Sequence, residues 1–201
     1  MAGNPQFLFD FGSPNAFLAH KAIAAIQART GVRFSYIPVL LGGVFKATGN
    51  QSPIAAFANI PAKLAYDRLE MDRFVVRHDV KGFRINPHFP VNTLMIMRGS
   101  IAAEEMGMFA PYVDAVFDAM WVAGLKMDDP AVVADALTAA KLPAKELFAL
   151  AQSDTVKQRL IANTENAVAR GVFGSPSFFV GDALYFGKDR LREVEEAIIA
   201  S

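Results

Sequence analysis

The chain has 201 residues, of which 53% are hydrophobic and 20% are charged. This composition is typical of a packed globular protein rather than a disordered one, and the length suits one domain with room for a large insertion. The chain has 20 lysine and arginine residues and 20 aspartate and glutamate residues, so its net charge is zero. The charge therefore gives no reason to expect nucleic acid or an anionic membrane as a partner. The sequence contains no cysteine, which excludes disulfides, thiolate metal ligands and dithiol exchange.

Metal and membrane chemistry find little support in the sequence. The histidines His20, His78 and His88 are too few and too scattered to indicate a metal site. Apolar runs fall short of the roughly 20 residues that span a bilayer. The first residues lack the basic and apolar regions of a signal peptide. We therefore expect no metal, no membrane contact and a cytoplasmic location.

The N-terminal part of the chain alternates between strand and helix signals. Residues 6–11 form an apolar run that predicts a buried strand, and 14–30 predict a helix that ends at Gly31. Residues 32–38 predict a second strand, which would complete a β-α-β unit. The stretch 40–61 is rich in Gly, Asn, Ser and Pro and lacks a clear period, so it predicts a long loop.

The middle of the chain has a helical pattern, and strand signals return near its end. Helices are predicted over 63–74, 91–107, 109–124, 131–141, 144–150 and 154–170. Strands over 177–180 and 183–186 predict a hairpin, and a helix over 189–200 follows. The order predicts an α/β fold, β-α-β … β-β-α. In it, one discontinuous domain (1–61 and 171–201) is interrupted by an all-helical insertion over 62–170.

Two Ser-Pro pairs lie where such a fold would build a site. Ser13-Pro14 has the composition of an ordinary N-cap followed by proline at the first helical position. The same geometry would also stabilise an anion such as a thiolate, because a helix N-terminus carries free N–H groups and a partial positive charge. Ser175-Pro176 fits either a simple turn before a strand or a cis bond that opens the backbone of Ser175 to an extended peptide. Its pairing with Ser13 favours cis.

Other polar residues carry weaker individual signals. Asn50 lies in a segment of turn composition, although its amide suits a polar ligand. Lys63 fits a solvated helix face or a partner for a carboxylate, and Asp189 fits a helix cap or a contact to an ammonium group. Lys46 and Arg84 are the cations nearest these loops that would suit an anionic substrate.

Residues 86–92 read Asn-Pro-His-Phe-Pro-Val-Asn, and their two prolines predict a rigid lead into the next helix. Asn92 is expected in the first turn of that helix. A loop with a cap is the simple interpretation, and contact of Asn92 with a substrate is the other. Trp121 and the phenylalanines are expected in the core.

Five markers occur in order along the chain: Asp10 to Pro14, Leu41 to Gln51, Asn86 to Asn92, Gly171 to Pro176 and Phe186 to Leu191. Together they resemble the family of kappa-class glutathione transferases and 2-hydroxychromene-2-carboxylate isomerases, in the DsbA-like thioredoxin superfamily. The resemblance covers nearly the whole chain, and the bacterial isomerase branch is the more similar. It implies a thioredoxin-like domain interrupted by helices, a homodimer, and glutathione as cofactor.

The resemblance also implies roles for individual residues. Ser13 would face the glutathione sulfur, while Asn50 and Lys63 would hold the glycyl end. Ser175, with Pro176 after it, would pair its backbone with the cysteinyl unit.

The γ-glutamyl end would be held by Asp189, beside Lys188, which stands where some transferases have serine. The chain departs from many relatives at Asn15, where they carry an aromatic residue. Lys46 and Asn92 are candidates for stabilising a developing enolate.

The function implied is a glutathione-dependent isomerase of aromatic catabolism. It would convert 2-hydroxychromene-2-carboxylate-type substrates to trans-o-hydroxybenzylidenepyruvate-type products through transient thiolate addition. A kappa-like transferase, which would consume glutathione, is one alternative. A cysteine-free, non-catalytic thioredoxin-fold binding module, which would have no affinity for glutathione, is the other.

Overall fold

The computed structural model describes residues 4–201, so the first three residues of the predicted 1–61 segment lie outside it. The strands are β1 (Gln6–Phe9), β2 (Ser35–Pro38), β3 (Ser177–Val180) and β4 (Ala183–Phe186). The helices are α1 (Pro14–Thr30), α2 (Leu41–Thr48), α3 (Pro53–Ala56), α4 (Pro61–Arg77), α5 (Leu94–Glu105), α6 (Phe109–Asp118), α7 (Pro130–Ala139), α8 (Ala144–Ala151), α9 (Asp154–Ala169) and α10 (Leu191–Ala200). A π-helical turn (Ala119–Ala123) continues α6, and a 3₁₀ turn (Lys188–Arg190) precedes α10.

The four strands form one mixed sheet in the order β2-β1-β3-β4. β1 pairs in parallel with β2, as the β-α-β unit requires, and β3 pairs antiparallel with both β1 and β4. The observed strands and their order confirm the predicted β-α-β … β-β-α plan. The carboxyl ends of β1 and β2 meet at one edge of the sheet, and α1 and α2 begin there.

Each face of the sheet is buried against different helices. Phe7, Phe9 and Phe178 belong to a large hydrophobic cluster that includes α1, α10 and most of the helical region. Leu8 and Phe179 face the opposite way, into a smaller cluster that contains Val44 of α2 and Ala167 of α9. This alternation along β1 and β3 follows from the two-residue period of a strand, and it makes the sheet the middle layer of the molecule.

The large cluster runs without a break from the sheet into the helices of the middle of the chain. Trp121, fully buried, donates its indole N–H to the carbonyl oxygen of Phe11 at 2.8 Å. The expected core position of this tryptophan is therefore confirmed. The bond ties the helical region to the turn that follows β1. No helix within residues 4–201 has both the length and the apolar character that crossing a bilayer requires.

The predicted loop over 40–61 is wrong, because α2 and α3 occupy much of it. Two adjacent glycines hide the helical pattern of α2, yet Val44 packs fully buried against the second face of the sheet. A Cβ at Gly43 would lie 3.2 Å from the Cγ2 atom of Thr164, so a small residue lets α2 approach α9. Tertiary packing therefore outweighs the weak helix propensity of glycine here.

Several predicted boundaries also need correction. β1 ends at Phe9 rather than at residue 11, because Asp10 turns away to bind the start of α2. α5 begins at Leu94 rather than at residue 91, so Asn92 precedes the helix instead of lying in its first turn. By contrast, α1 runs over the predicted 14–30, and Gly31 ends it in the left-handed conformation, with φ 71°. Both hairpin strands also have the predicted bounds.

Candidate functional site

Ser13 caps the N-terminus of α1, at the sheet edge where β1 ends. Its side-chain oxygen accepts the N–H of Ala16 at 3.1 Å, and its backbone is extended (φ −97°, ψ 114°). Pro14 fills the first helical position. These are the features of an N-cap. The remaining helical amides direct a partial positive charge at whatever binds beside Ser13.

Ser13 and Ser175 are in direct contact, although 162 positions separate them in the chain. The hydroxyl of Ser13 donates to the carbonyl oxygen of Ser175 at 2.8 Å. The Ser175-Pro176 peptide is cis, which confirms that prediction. Both serines are nearly buried, with exposed fractions of 5% and 9%, so the surrounding atoms fix their positions. The two Ser-Pro pairs therefore form one site.

Asp10 is the group at this site to which the sequence assigned no role. It is fully buried at the end of β1. One carboxylate oxygen accepts the N–H of Gly12 at 2.8 Å; the other accepts the N–H of Leu41 at 2.7 Å and the hydroxyl of Thr93 at 3.1 Å. Burial raises the pKa of Asp10 above its usual range, and the bonds to Leu41, Gly12 and Thr93 oppose that rise. The available signal was an acidic residue within an otherwise apolar run.

Asp10 also reaches the second serine pair through its own backbone. Its N–H donates to the side-chain oxygen of Ser175 at 3.1 Å, and its carbonyl oxygen accepts the N–H of Ser13 at 3.0 Å. A single residue thus connects β1, both serines, the start of α2 and the approach to α5. The positions of Ser13 and Ser175 depend on it.

Asn50 lies just after α2 and reaches the loop that carries the second serine pair. Its side-chain N–H donates to the carbonyl oxygen of Phe173 at 2.8 Å, and its side-chain oxygen accepts the N–H of Gln51 at 2.9 Å. Phe173 precedes Ser175 by two residues, so the fold brings Asn50 to the rim of the site. The residue itself is exposed.

Lys188 and Asp189 lie in the 3₁₀ turn, which is adjacent to the cis-proline. The N–H of Gly187 donates to the carbonyl oxygen of Pro176 at 2.9 Å. The ammonium group of Lys188 is buried, 2.6 Å from a carboxylate oxygen of Asp189, and it lies 5.1 Å from the ring centroid of Phe74. The side chain of Asp189 is 64% exposed. Asp189 therefore offers a carboxylate to solvent, whereas Lys188 faces the interior.

Lys63, in the first turn of α4, has local contacts. It pairs with the carboxylate of Asp67, and its ammonium group lies 5.2 Å from the ring centroid of Phe57. Both partners belong to α4 or to the turn before it. Within residues 4–201, no hydrogen bond or ion pair connects Lys63 to either serine pair.

Of the three residues predicted to contact substrate, one lies in α2 and two lie in the segment between α4 and α5. Lys46 is exposed in the last turn of α2. The guanidinium of Arg84 donates to the carbonyl oxygen of Ala123, which secures the end of the π-helical turn. Asn92 is exposed, and its side-chain oxygen accepts the N–H of Leu94 at 3.0 Å. Arg84 and Asn92 therefore have structural partners in this chain.

His20 is the histidine that joins α1 to other elements, through the hydroxyl of Tyr36 and the carboxylate of Asp114, each 2.9 Å away. Among residues 4–201, no three His, Asp or Glu side chains converge in a way that would hold a metal ion.

Comparison with known proteins supports the same assignment of fold. A family model described as a DSBA-like thioredoxin domain matches residues 6–199. The 2-hydroxychromene-2-carboxylate isomerase of Pseudomonas sp. (strain C18) is 28% identical, over 96% of this chain and 89% of its own length. Human glutathione S-transferase kappa 1 is 24% identical, over 92% of this chain and 86% of its own length.

A solved structure described as 2-hydroxychromene-2-carboxylate isomerase aligns with a TM-score of 0.83 at 26% identity. The alignment covers 98% of this chain and 94% of that one. The predicted resemblance and thioredoxin-like fold are thereby confirmed. With its sheet, its cis-proline loop and the match over residues 6–199, the chain belongs to the family of DSBA-like thioredoxin domains.

Proposed function

We propose that this protein is a glutathione-dependent isomerase. Its substrates would be of the 2-hydroxychromene-2-carboxylate type, and its products would be of the trans-o-hydroxybenzylidenepyruvate type. The observation that carries the proposal is the contact between Ser13 and Ser175 at the N-terminus of α1, in a chain without cysteine. The site can stabilise a thiolate but cannot supply one, so the sulfur has to come from a ligand. The names of the isomerase relatives agree with this interpretation.

Polar atoms beside Ser13 fit a peptide-like thiol. Within the described residues, the N–H of Ser175 has no hydrogen-bond acceptor, so it is free to pair with a peptide carbonyl. The side-chain oxygen of Asn15 is buried and has no partner among residues 4–201. Ligand N–H groups would satisfy such an acceptor.

Glutathione would extend from this point in two directions. Asn50 would hold its glycyl end with Lys63, and Asp189 would bind the ammonium group of its γ-glutamyl end. Ser175 and Pro176 would border the cysteinyl unit. Lys188, through its ion pair with Asp189, would orient that carboxylate rather than contact the ligand.

Bound glutathione would supply a thiol whose reversible addition turns a conjugated double bond into a single bond long enough for rotation. Ser13 would donate its hydroxyl to the sulfur, which requires the hydroxyl to leave the carbonyl oxygen of Ser175. The helix N-terminus would stabilise the same negative charge. A fall of about two in the pKa of the bound thiol corresponds to roughly 2.7 kcal/mol in favour of the thiolate.

The remaining assignments complete the proposal. Lys46 and Asn92 would serve the developing enolate, and Arg84 would contribute positive charge to substrate binding. A cytoplasmic homodimer is the proposed state of the protein. A kappa-like transferase is the second candidate, and the human relative favours it. The two differ in outcome, because an isomerase returns glutathione and a transferase consumes it.

The first test is a calorimetric titration with reduced glutathione, with the ultraviolet absorbance of the thiolate recorded in parallel. Ser13→Ala removes a donor to the sulfur, and the loss of a hydrogen bond to a charged group is worth about 1.5–3 kcal/mol. We expect the pKa of the bound thiol to rise by about one to two, which removes most of the thiolate signal.

Ser153→Ala is the matched control, because Ser153 caps α9 and accepts the N–H of Val156 just as Ser13 caps α1. This variant should lose helix stability without losing the thiolate. Glutathione measured after turnover then separates the enzymes, since a constant amount supports isomerisation and a falling amount supports transfer. Absence of glutathione binding by the wild-type protein would refute both and favour the non-catalytic binding module.

A further inference from the structure

A cleft of about 440 Å³ opens between α2, α5 and α9, and no part of the proposed glutathione site accounts for it. Pockets that hold small ligands have volumes of about 300–1,000 Å³, so the cleft has room for an aromatic acid. Its walls include Leu94 at the start of α5 and Leu160, Ile161 and Val168 on α9. Ile161 is 45% exposed, so its surface is available to a ligand in the cleft.

The cleft adjoins the polar network around Asp10. Leu40, which lines it, precedes Leu41, whose N–H binds the carboxylate of Asp10. Leu94 likewise follows Thr93, whose hydroxyl binds the same carboxylate. Two residues of the cleft are thus chain neighbours of residues that bind the carboxylate of Asp10. This places the start of the cleft near the sheet edge that also carries Ser13.

Arg98 provides positive charge on the α5 side of the cleft. Its Nε atom is buried, and no group within residues 4–201 accepts a hydrogen bond from it. Arg98 also borders a second cavity that contains Asp128, whose Oδ1 atom is likewise buried without a hydrogen-bond partner among residues 4–201 and lies 3.3 Å from the ammonium group of Lys126. A buried guanidinium N–H without an acceptor calls for one, and a carboxylate is the acceptor that arginine pairs with best.

Lys157 adds a second cation, and Glu165 is the acid on the same lining. Lys157 lies 3.5 Å from Asp154, whose side chain is 96% exposed and which lies at the solvent end of α9. Two cations and one carboxylate leave the lining with a positive balance. The apolar walls and this balance together favour a ligand with an apolar body and one negative group.

We infer that the cleft binds the organic substrate, an aromatic or conjugated carboxylate, with its ring against α9 and its carboxylate on Arg98. The identification of this ligand as the substrate rests on the proposed function. The binding chemistry itself does not, because it follows from the apolar walls and the unpaired guanidinium N–H.

The test uses trans-cinnamate as an anionic probe and cinnamamide as its uncharged counterpart, each titrated into the full-length protein without glutathione. We expect cinnamate to bind at least tenfold more tightly than cinnamamide. Arg98→Gln should abolish that difference, because it removes the cation that faces the carboxylate. Arg192→Gln, at a side chain that is 86% exposed on α10, is the matched control and should leave the difference unchanged.

A second variant tests whether the probes bind in the cleft, without changing the charge of Arg98. Ala47, exposed on α2, lines the cleft, so Ala47→Trp would fill it without changing the core. This variant should weaken both probes by tenfold or more. Cinnamate binding that is absent, or that persists unchanged in Arg98→Gln and Ala47→Trp, would overturn the inference.

The proposed function is tested by a different measurement, the thiolate signal of bound glutathione, so its failure can be told apart from a failure of cinnamate binding. If glutathione forms no thiolate while cinnamate binds as expected, the cleft remains an organic-acid site and the isomerase proposal falls. If both hold, Arg98→Gln should raise the KM for the carboxylate substrate by tenfold or more and leave the thiolate signal unchanged.

Discussion

Asp10 shows how one buried carboxylate organises the site. Its oxygens accept hydrogen bonds from Gly12, Leu41 and Thr93, and its backbone contacts both Ser13 and Ser175. A Cβ at Gly12 would lie 3.0 Å from Cγ2 of Thr93, so the absence of a side chain there permits this close arrangement. The cost of burying the charge is visible in the raised pKa of Asp10.

That raised pKa makes a prediction for stability. A carboxyl group whose pKa is higher in the folded than in the unfolded chain binds its proton more tightly when folded, so its contribution to stability is complete below the unfolded value of 3.8. The contribution is lost as the pH rises through the folded value. We therefore expect the free energy of unfolding of the wild type, minus that of Asp10→Asn, to fall as the pH rises above 3.8.

Urea denaturation at a series of pH values measures this difference. Asp182→Asn, in the exposed turn between β3 and β4, is the control for a general effect of one carboxyl group. A wild type that becomes more stable relative to Asp10→Asn as the pH rises would contradict the assigned direction of the pKa.

At the scale of elements, close helix packing depends on particular glycines. In α5, a Cβ at Gly99 would lie 2.0 Å from the hydroxyl oxygen of Tyr112 on α6. That hydroxyl donates to the carbonyl oxygen of Ile96 at 2.9 Å, so it cannot move without losing a buried bond. In α2, by contrast, a Cβ at Gly42 would have no neighbour within 4 Å.

These two glycines predict opposite effects of the same substitution. Gly99→Ala should destabilise the protein by about 1–3 kcal/mol through overpacking. Gly42→Ala should stabilise it by about 0.5–1 kcal/mol, because alanine favours the helix and nothing obstructs its methyl group. Thermal and urea denaturation of both variants measure the effects, and Tyr112→Phe in the Gly99→Ala background should restore part of the loss. Equal effects at the two positions would show that helix propensity, rather than packing, decides.

At the scale of the whole molecule, the sheet and the helices share one core. The large cluster extends from Phe7 on β1 to Leu160 on α9, and Trp121 joins the helical region to Phe11. α9 lies in the predicted 62–170 insertion by sequence, yet it packs against α2 and covers the second face of the sheet. The division into a thioredoxin-like domain and an insertion over 62–170 stays a prediction. The hydrophobic cluster contains residues from both parts, so they share one core.

A shared interior predicts cooperative unfolding. Trp121 is the only tryptophan in the sequence, so its fluorescence reports the junction of the helices with the site, whereas circular dichroism reports all helices. The two signals should follow a single transition with the same midpoint in urea. Circular dichroism that changes in two steps, with fluorescence following one of them, would show that the helical region unfolds separately.

Local features of the sequence determined α1, both hairpin strands and the cap at Ser13, because a cap, a turn and a periodic pattern act between residues a few positions apart. α2 was not predictable from its glycine-rich segment, since packing of Val44 under the sheet stabilises it. The role of Asp10 was hidden for the same reason, because its partners at positions 41, 93 and 175 come together only when the sheet edge forms. The cleft beside Arg98 likewise exists only between packed helices. The sequence alone therefore determined the elements with local signals and the resemblance to the family. Tertiary structure decided which groups meet, because those contacts join residues that the chain itself keeps far apart.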